Sequence, residues 1–184
     1  MINNSNALPE DYSSPFYIAN KIFCLDFDDY IKSKNGKTKG EFNAWAYTIY
    51  GKITTPKNWV IKYKKATYTT SGNLFISAEK QGLLILAEWR TKTNSDSNFI
   101  IRRKRTFDVL NPKVKDFEIY SDYKLISTTD KPLFFSNLIR ILTPLFKDNK
   151  IFEVHLKNNE LKIELRSKKH HFNILDELIE QIRR

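Results

Sequence analysis

The stretch Ile151-Phe152-Glu153-Val154-His155-Leu156-Lys157-Asn158-Asn159-Glu160-Leu161-Lys162-Ile163-Glu164-Leu165 carries the clearest fold signal in the chain. Phe152, Val154 and Leu156 alternate along one arm, and Leu161, Ile163 and Leu165 along the other. Successive side chains of a strand point to opposite faces, so each arm reads as a strand with one apolar side. A two-residue turn at Asn158-Asn159 sets the two apolar sets face to face. Glu153, His155, Lys162 and Glu164 then point outward.

On either side of this hairpin the apolar period lengthens to that of a helix. Upstream, Asp130-Lys131-Pro132 announces a helix over 133–143, whose Leu133, Phe134, Leu138, Ile141, Leu142 and Leu145 form a wide apolar face. Pro144 is expected to end it. Downstream, Asn173 is expected to cap a closing helix that buries Ile174, Leu175, Leu178, Ile179 and Ile182. Asp176 and Glu177 stand near its positive end, and Arg183 and Arg184 near its negative end.

Towards the amino end, short β-branched and aromatic runs separated by turn residues predict strands over 45–50, 59–69, 74–78, 83–89, 99–103 and 117–128. Gln81-Gly82 would close a hairpin between the third and fourth of these. Residues 91–97 read as a small-polar loop, and Asn111-Pro112 as a further break. Before the strands, Ser14-Pro15 marks a helix start, and Ala19, Ile22, Phe23, Phe27, Tyr30 and Ile31 recur at three- and four-residue steps. Asn35-Gly36 stops that helix, and residues 34–40 read as a polar loop. The expected fold is therefore α+β: a mainly antiparallel sheet with two or three packed helices, one domain spanning 1–184, with 1–13 poorly ordered.

At 184 residues, with 41% hydrophobic and 14% aromatic residues, the chain has enough apolar surface for a core without disulfides or metals. The longest apolar run, 83–87, is far short of the roughly 20 residues of a membrane-spanning helix, and Met1 to Asn6 show no signal-peptide pattern. These readings predict a cytoplasmic protein. The lone Cys24 excludes an internal disulfide and reads as a packed small residue. The net charge of +10 divides evenly, with 13 Lys and Arg against 8 Asp and Glu in 1–92, and 18 against 13 in 93–184. No basic arm stands apart, and runs such as Trp59-Val60-Ile61-Lys62-Tyr63-Lys64 resemble the wet face of a strand.

The segment from Phe107 to Ile182 carries Val109-Leu110-Asn111-Pro112, Phe117-Glu118-Ile119-Tyr120-Ser121-Asp122, Thr128-Thr129-Asp130-Lys131-Pro132 and the 151–165 hairpin in that order. This series resembles a bacterial family catalogued as domain of unknown function 3137. Many of its members carry a pair of transmembrane helices ahead of the shared region, where this chain has an amphipathic helix. The resemblance implies no activity, substrate or catalytic residue.

Ile22-Phe23-Cys24-Leu25-Asp26-Phe27-Asp28 is the sharpest enzymatic candidate, because it looks like the strand and Asp-x-Asp of haloacid dehalogenase phosphatases. Asp29-Tyr30 stands where those enzymes have Gly-Thr, and a helical reading scatters Asp26 and Asp28 around a cylinder. His155 reads as a solvated histidine, and His170-His171 as an exposed polar loop before the last helix. No Gly-x-Ser-x-Gly turn, glycine-rich phosphate cradle or metal-ligand spacing is present. Tyr63, Tyr68 and Trp59 could form a stacking platform for single-stranded nucleic acid, though aromatics at strand spacing are more often core.

The concentrated charge feature is Arg102-Arg103-Lys104-Arg105. On a strand, alternate members point to opposite faces, so two of the four can share a surface. The run reads either as an edge strand protected by charge or as a contact for phosphate or an acidic partner. Together these features predict a non-catalytic binding or regulatory module, without cofactor or metal, that meets a protein partner or anionic ligand through its sheet edge or basic face. Nucleic-acid binding is the alternative, and a phosphatase using Asp26 and Asp28 a second one.

Overall fold

The structure is a computed structural model that describes residues 1–4, 9–65, 85–95, 97–106, 108, 114–127 and 133–182. The predicted strand over 74–78, the Gln81-Gly82 hairpin, Tyr68, the segment 109–112, residues 128–132 and Arg183-Arg184 lie outside the described residues.

Among the described residues, ten strands form one sheet: β1 (Ile2–Asn4), β2 (Lys37–Phe42), β3 (Tyr47–Ile53), β4 (Trp59–Lys65), β5 (Ile85–Lys92), β6 (Phe99–Arg103), β7 (Lys115–Asp116), β8 (Tyr123–Ser127), β9 (Ile151–Lys157) and β10 (Glu160–Leu165). Their spatial order is β1-β2-β3-β4-β5-β10-β9-β6-β8-β7, antiparallel throughout except for the parallel pair β1 and β2. Three α-helices are described, α1 (Pro15–Ser33), α2 (Leu133–Lys147) and α3 (Phe172–Gln181), with a short 3-10 helix at Pro9–Ser13 ahead of α1. The chain has the expected α+β architecture.

The register aligns one row of core side chains across six strands: Ile61, Trp89, Ile163, Val154, Ile101 and Leu125 are successive neighbours from β4 to β8. All are buried. The helices cover this face. Phe23 and Phe27 of α1 meet Tyr63 edge-on, while Phe135 and Phe146 of α2 meet Phe99 and Tyr123 in the same manner. Tyr30 of α1 stacks on Phe172 of α3 at 3.9 Å and donates a hydrogen bond to Asp176. The opposite face of the sheet carries no described helix.

Local chemistry explains where the elements begin and end. Ser14 Oγ accepts from the Phe16 amide, Pro15 is the first helical residue, and Asn35 takes the positive φ that ends α1. Asn158 and Asn159 both have positive φ, the geometry of the two-residue hairpin turn, and join β9 to β10 as expected.

Several expectations change. Residues 37–40, read as loop, belong to β2: Thr38 donates a hydrogen bond to Asp28 of α1, and Gly40 has φ +149°, where an added Cβ would sit 2.7 Å from Ile49 Cα. The strand expected from residue 45 begins at Tyr47, because Asn43 Oδ1 accepts from the amides of Trp45 and Ala46 and bends the chain there. The strand expected over 117–128 shortens to Tyr123–Ser127. Its first part is two successive turns, closed by bonds from Tyr120 N to Phe117 O and from Tyr123 N to Tyr120 O. Helix α2 continues through Pro144 to Lys147. The carbonyl left without a partner there belongs to exposed Arg140, on the wet side of the helix.

Phe152, expected on the buried side, is half-buried, because a bulge at Glu164/Leu165 pairs Leu165 with Ile151 instead. Phe152 takes the Arg166 guanidinium over its ring at 4.1 Å. Helix α3 starts two residues early, with His171 at the cap position and Asn173 inside the first turn. Finally, β6 lies between β9 and β8, so the run beginning at Arg102 is not on an edge.

Candidate functional site

Of the four basic residues singled out in the sequence, two are committed to holding the fold. Arg102, 9% exposed, donates to both carboxylate oxygens of Asp108, at 2.9 and 2.5 Å, and to the Arg103 carbonyl. Bidentate pairing of this kind fixes both partners. The Arg102 hydrogen bonds lower the Asp108 carboxyl to about 2, outweighing its desolvation, and the Arg105 amide adds a bond at 2.7 Å. Arg103 points to the helix side, donating to the backbone carbonyls of Ile151 and Asn149. The expected alternation therefore holds, with Arg102 and Arg103 on opposite faces. Lys104 lies 3.5 Å from Asp116, and Arg105 is exposed. The four do not converge on one surface.

The aspartates of the phosphatase-like segment lie on α1, two residues and therefore about 200° apart. Asp26 is exposed. Asp28 is buried, which disfavours its charge, but hydrogen bonds from Lys32 (2.6 Å) and Thr38 hold its carboxyl below the ordinary range. Cys24 is fully buried, and desolvation pushes its thiol up to about 12. Trp59 and Tyr63 are fully buried in the core.

The histidine pair departs from the exposed loop the sequence suggested. His170 stacks between Phe23 at 3.8 Å and Phe172 at 4.4 Å, and its Nε2–H donates to the Phe23 carbonyl at 2.9 Å. Burial lowers it to about 4. His171 Nε2 lies 2.8 Å from Ser167 Oγ. The residues that pull the pair inward are aromatic and sit on α1 and α3, so local polarity gave no sign of them. Among the described residues, no group of three or more His, Cys, Asp or Glu is placed to hold a metal ion.

A different set of residues converges on the helix-free face. The register places Lys37 beside Lys52, Lys39 beside Tyr50, Tyr50 beside Lys62, and Thr48 beside Lys64. Lys39 and Lys62 each hold their ammonium 5.4 Å from the centre of the Tyr50 ring. Among the described residues, Lys37, Lys39, Lys52, Lys62 and Lys64 form no ion pair. Glu41, next to Thr48, is the carboxylate that β2 contributes to this face.

From the next strand onward the balance reverses, with Glu88 of β5 standing beside Lys62. Glu88, Glu164 and Glu153 face one another across β5, β10 and β9. Like charges in directly opposed positions repel. Cations offset them: Arg90 Nε lies 2.9 Å from Glu88, and Lys162 binds Glu164 and approaches Glu88 at 3.9 Å. The face thus has a basic, uncompensated third over β2, β3 and β4 and a compensated middle. The sequence contains the signal as Lys37-x-Lys39, Tyr50-x-Lys52 and Lys62-x-Lys64, each pair at strand spacing; only cross-strand register brings the three together.

Among the described residues, no helix is long and apolar enough to cross a membrane. Compared with protein-family models, curated proteins and solved structures, the chain matches none.

Proposed function

We propose that this chain is a non-catalytic binding module of the cytoplasm that grips an acidic segment of a protein partner on the open face of β2, β3 and β4. The observation that carries the reading is the cluster of Lys37, Lys39, Lys52, Lys62 and Lys64 around Tyr50, without a carboxylate partner among the described residues. The groups with most chemical potential are occupied otherwise: Cys24 is buried as a thiol, Asp108 is paired and His170 is stacked.

Size favours a protein over nucleic acid. Strands lie about 4.8 Å apart and rise about 3.4 Å per residue, so the cluster covers roughly 10 Å by 14 Å. A few carboxylates of one peptide segment fill that area. A nucleic-acid strand continuing across the sheet would meet Glu88, Glu164 and Glu153. The likeness of residues 107–182 to the domain of unknown function 3137 family belongs to the same proposal, supported by the order strand, helix, strand, turn, strand over β8, α2, β9 and β10.

The test is binding of a glutamate-rich peptide and of a single-stranded oligonucleotide, each over a salt series. Lys39→Glu/Lys64→Glu should weaken the peptide at least tenfold and leave the thermal midpoint within about a degree. Unchanged affinity in that variant would sink the proposal. Tighter binding of the oligonucleotide would replace it with the nucleic-acid reading, for which five lysines set a salt slope no steeper than about −3.5.

A further inference from the structure

We propose that the chain also has a discrete site for a small ligand bearing linked phosphates, in the cleft where β3 ends, β4 begins, β5 ends and β10 begins. The cleft has a volume of about 520 Å³ and is lined by Lys52, Lys57, Arg90, Lys92, Val60 and Glu160, among others. Small-molecule sites span roughly 300–1,000 Å³, so the space suits a compact organic phosphate.

The lining is a built arrangement of charge. Lys52, Val60 and Arg90 are successive neighbours across three strands, so two cations flank an apolar floor that is 41% exposed. Arg90 is held from one side by Glu88 at 2.9 Å and from the other by Glu160 at 3.8 Å, which fixes the guanidinium at the cleft. Lys57 is anchored through a 2.9 Å hydrogen bond to the carbonyl of Ile182, just after α3. Lys52 and Lys92 have no ion pair among the described residues. Four cations stand against Glu160 on the lining and Glu88 behind Arg90, which leaves an excess of two positive charges. A single carboxylate would neutralise half of that excess; two linked phosphates match it, through charge-assisted hydrogen bonds from lysine and arginine. Val60 offers apolar contact to whatever carries the phosphates.

The cleft shares Lys52 with the lysine cluster around Tyr50, but Lys57 and Lys92 belong to the cleft alone and Lys39 and Lys64 to the cluster alone, so substitution separates the two. Inorganic pyrophosphate and adenosine triphosphate would each be titrated calorimetrically into the full chain at physiological salt. Saturable binding is expected for at least one, with affinity reduced at least tenfold in Lys57→Ala/Lys92→Ala and less than threefold in Lys39→Ala/Lys64→Ala. Lys92→Glu leaves the Lys57 bond intact and should show the same loss if the double variant unfolds. Tighter binding of the triphosphate would assign a nucleoside polyphosphate that uses Val60; equal affinities would assign the phosphate chain itself. The proposal is overturned if neither probe saturates the wild-type protein, or if both double variants lose affinity equally. Binding of the glutamate-rich peptide to the same proteins reports separately on the face around Tyr50.

Discussion

Gly51→Ala tests the packing of α1 on the sheet directly. Gly51 lies on the helix side of β3, and a Cβ built there would stand 2.6 Å from both Cδ1 and Cγ1 of Ile31 and 2.8 Å from Cζ of Phe27. Ordinary contact begins at 3.4 Å, so α1 must give way by about 0.8 Å. Ile31 and Phe27 are fully buried and cannot turn into solvent. Overpacking of this kind costs about 1–3 kcal/mol, which for a chain of this size lowers the thermal midpoint by roughly 2–12 °C. Ile31→Ala alone opens a cavity and costs about 2–5 kcal/mol. In the double variant the new methyl enters the space that Ile31 vacates, so the two costs should fall short of additivity by about 1 kcal/mol or more. Urea and thermal unfolding of the four proteins complete the cycle. A neutral Gly51→Ala, or costs that add to within about 0.5 kcal/mol, would refute the close approach of α1 to β3.

His170, lowered to about 4 from an ordinary value near 6.5, takes its proton in the unfolded state first. Stability should therefore be intact above about pH 6.5 and fall towards pH 4 by up to about 3 kcal/mol. His170→Phe should flatten that slope, and an NMR titration midpoint near 6.5 for the wild type would rule the burial out. Cys24 should resist a thiol reagent at pH 8 in the native protein and react fully in urea; rapid native labelling would contradict its position on the buried side of α1. Arg102→Met should lower the thermal midpoint by stranding Asp108, yet leave affinity for the glutamate-rich peptide unchanged. Lost affinity in a fully folded Arg102→Met protein would return that residue to the binding surface.

The elements most legible in the sequence are those whose signal is local. Ser14-Pro15, the Asn158-Asn159 turn and the alternation of residues 99–103 need only neighbours along the chain. Strand β2 was hidden because Lys37, Lys39 and Glu41 face water and Thr38 and Gly40 face α1, so no apolar alternation marks it. Pro144 misled because its cost depends on where the orphaned carbonyl points. His170 misled because its partners, Phe23 and Phe172, come from two different helices. The lysine face escaped for a related reason: charge was visible as composition, and its concentration required the register of three strands. The conspicuous run at Arg102 was the opposite case, a dense local charge whose first two members are spent on Asp108 and on backbone carbonyls.

The strand order has a consequence for how the molecule is made. β5 and β6 are consecutive in the chain, yet the hairpin of β9 and β10 sits between them. A ribosome therefore produces two incomplete half-sheets, β1 to β5 and β6 to β8, whose inner edges close only as β9 and then β10, residues 151–165, emerge. Such edges are templates for pairing with other chains, and closing them requires contacts of long sequence separation, which form slowly. The last hairpin acts as a keystone: until it arrives, the nascent chain is at its most vulnerable to association with its own copies.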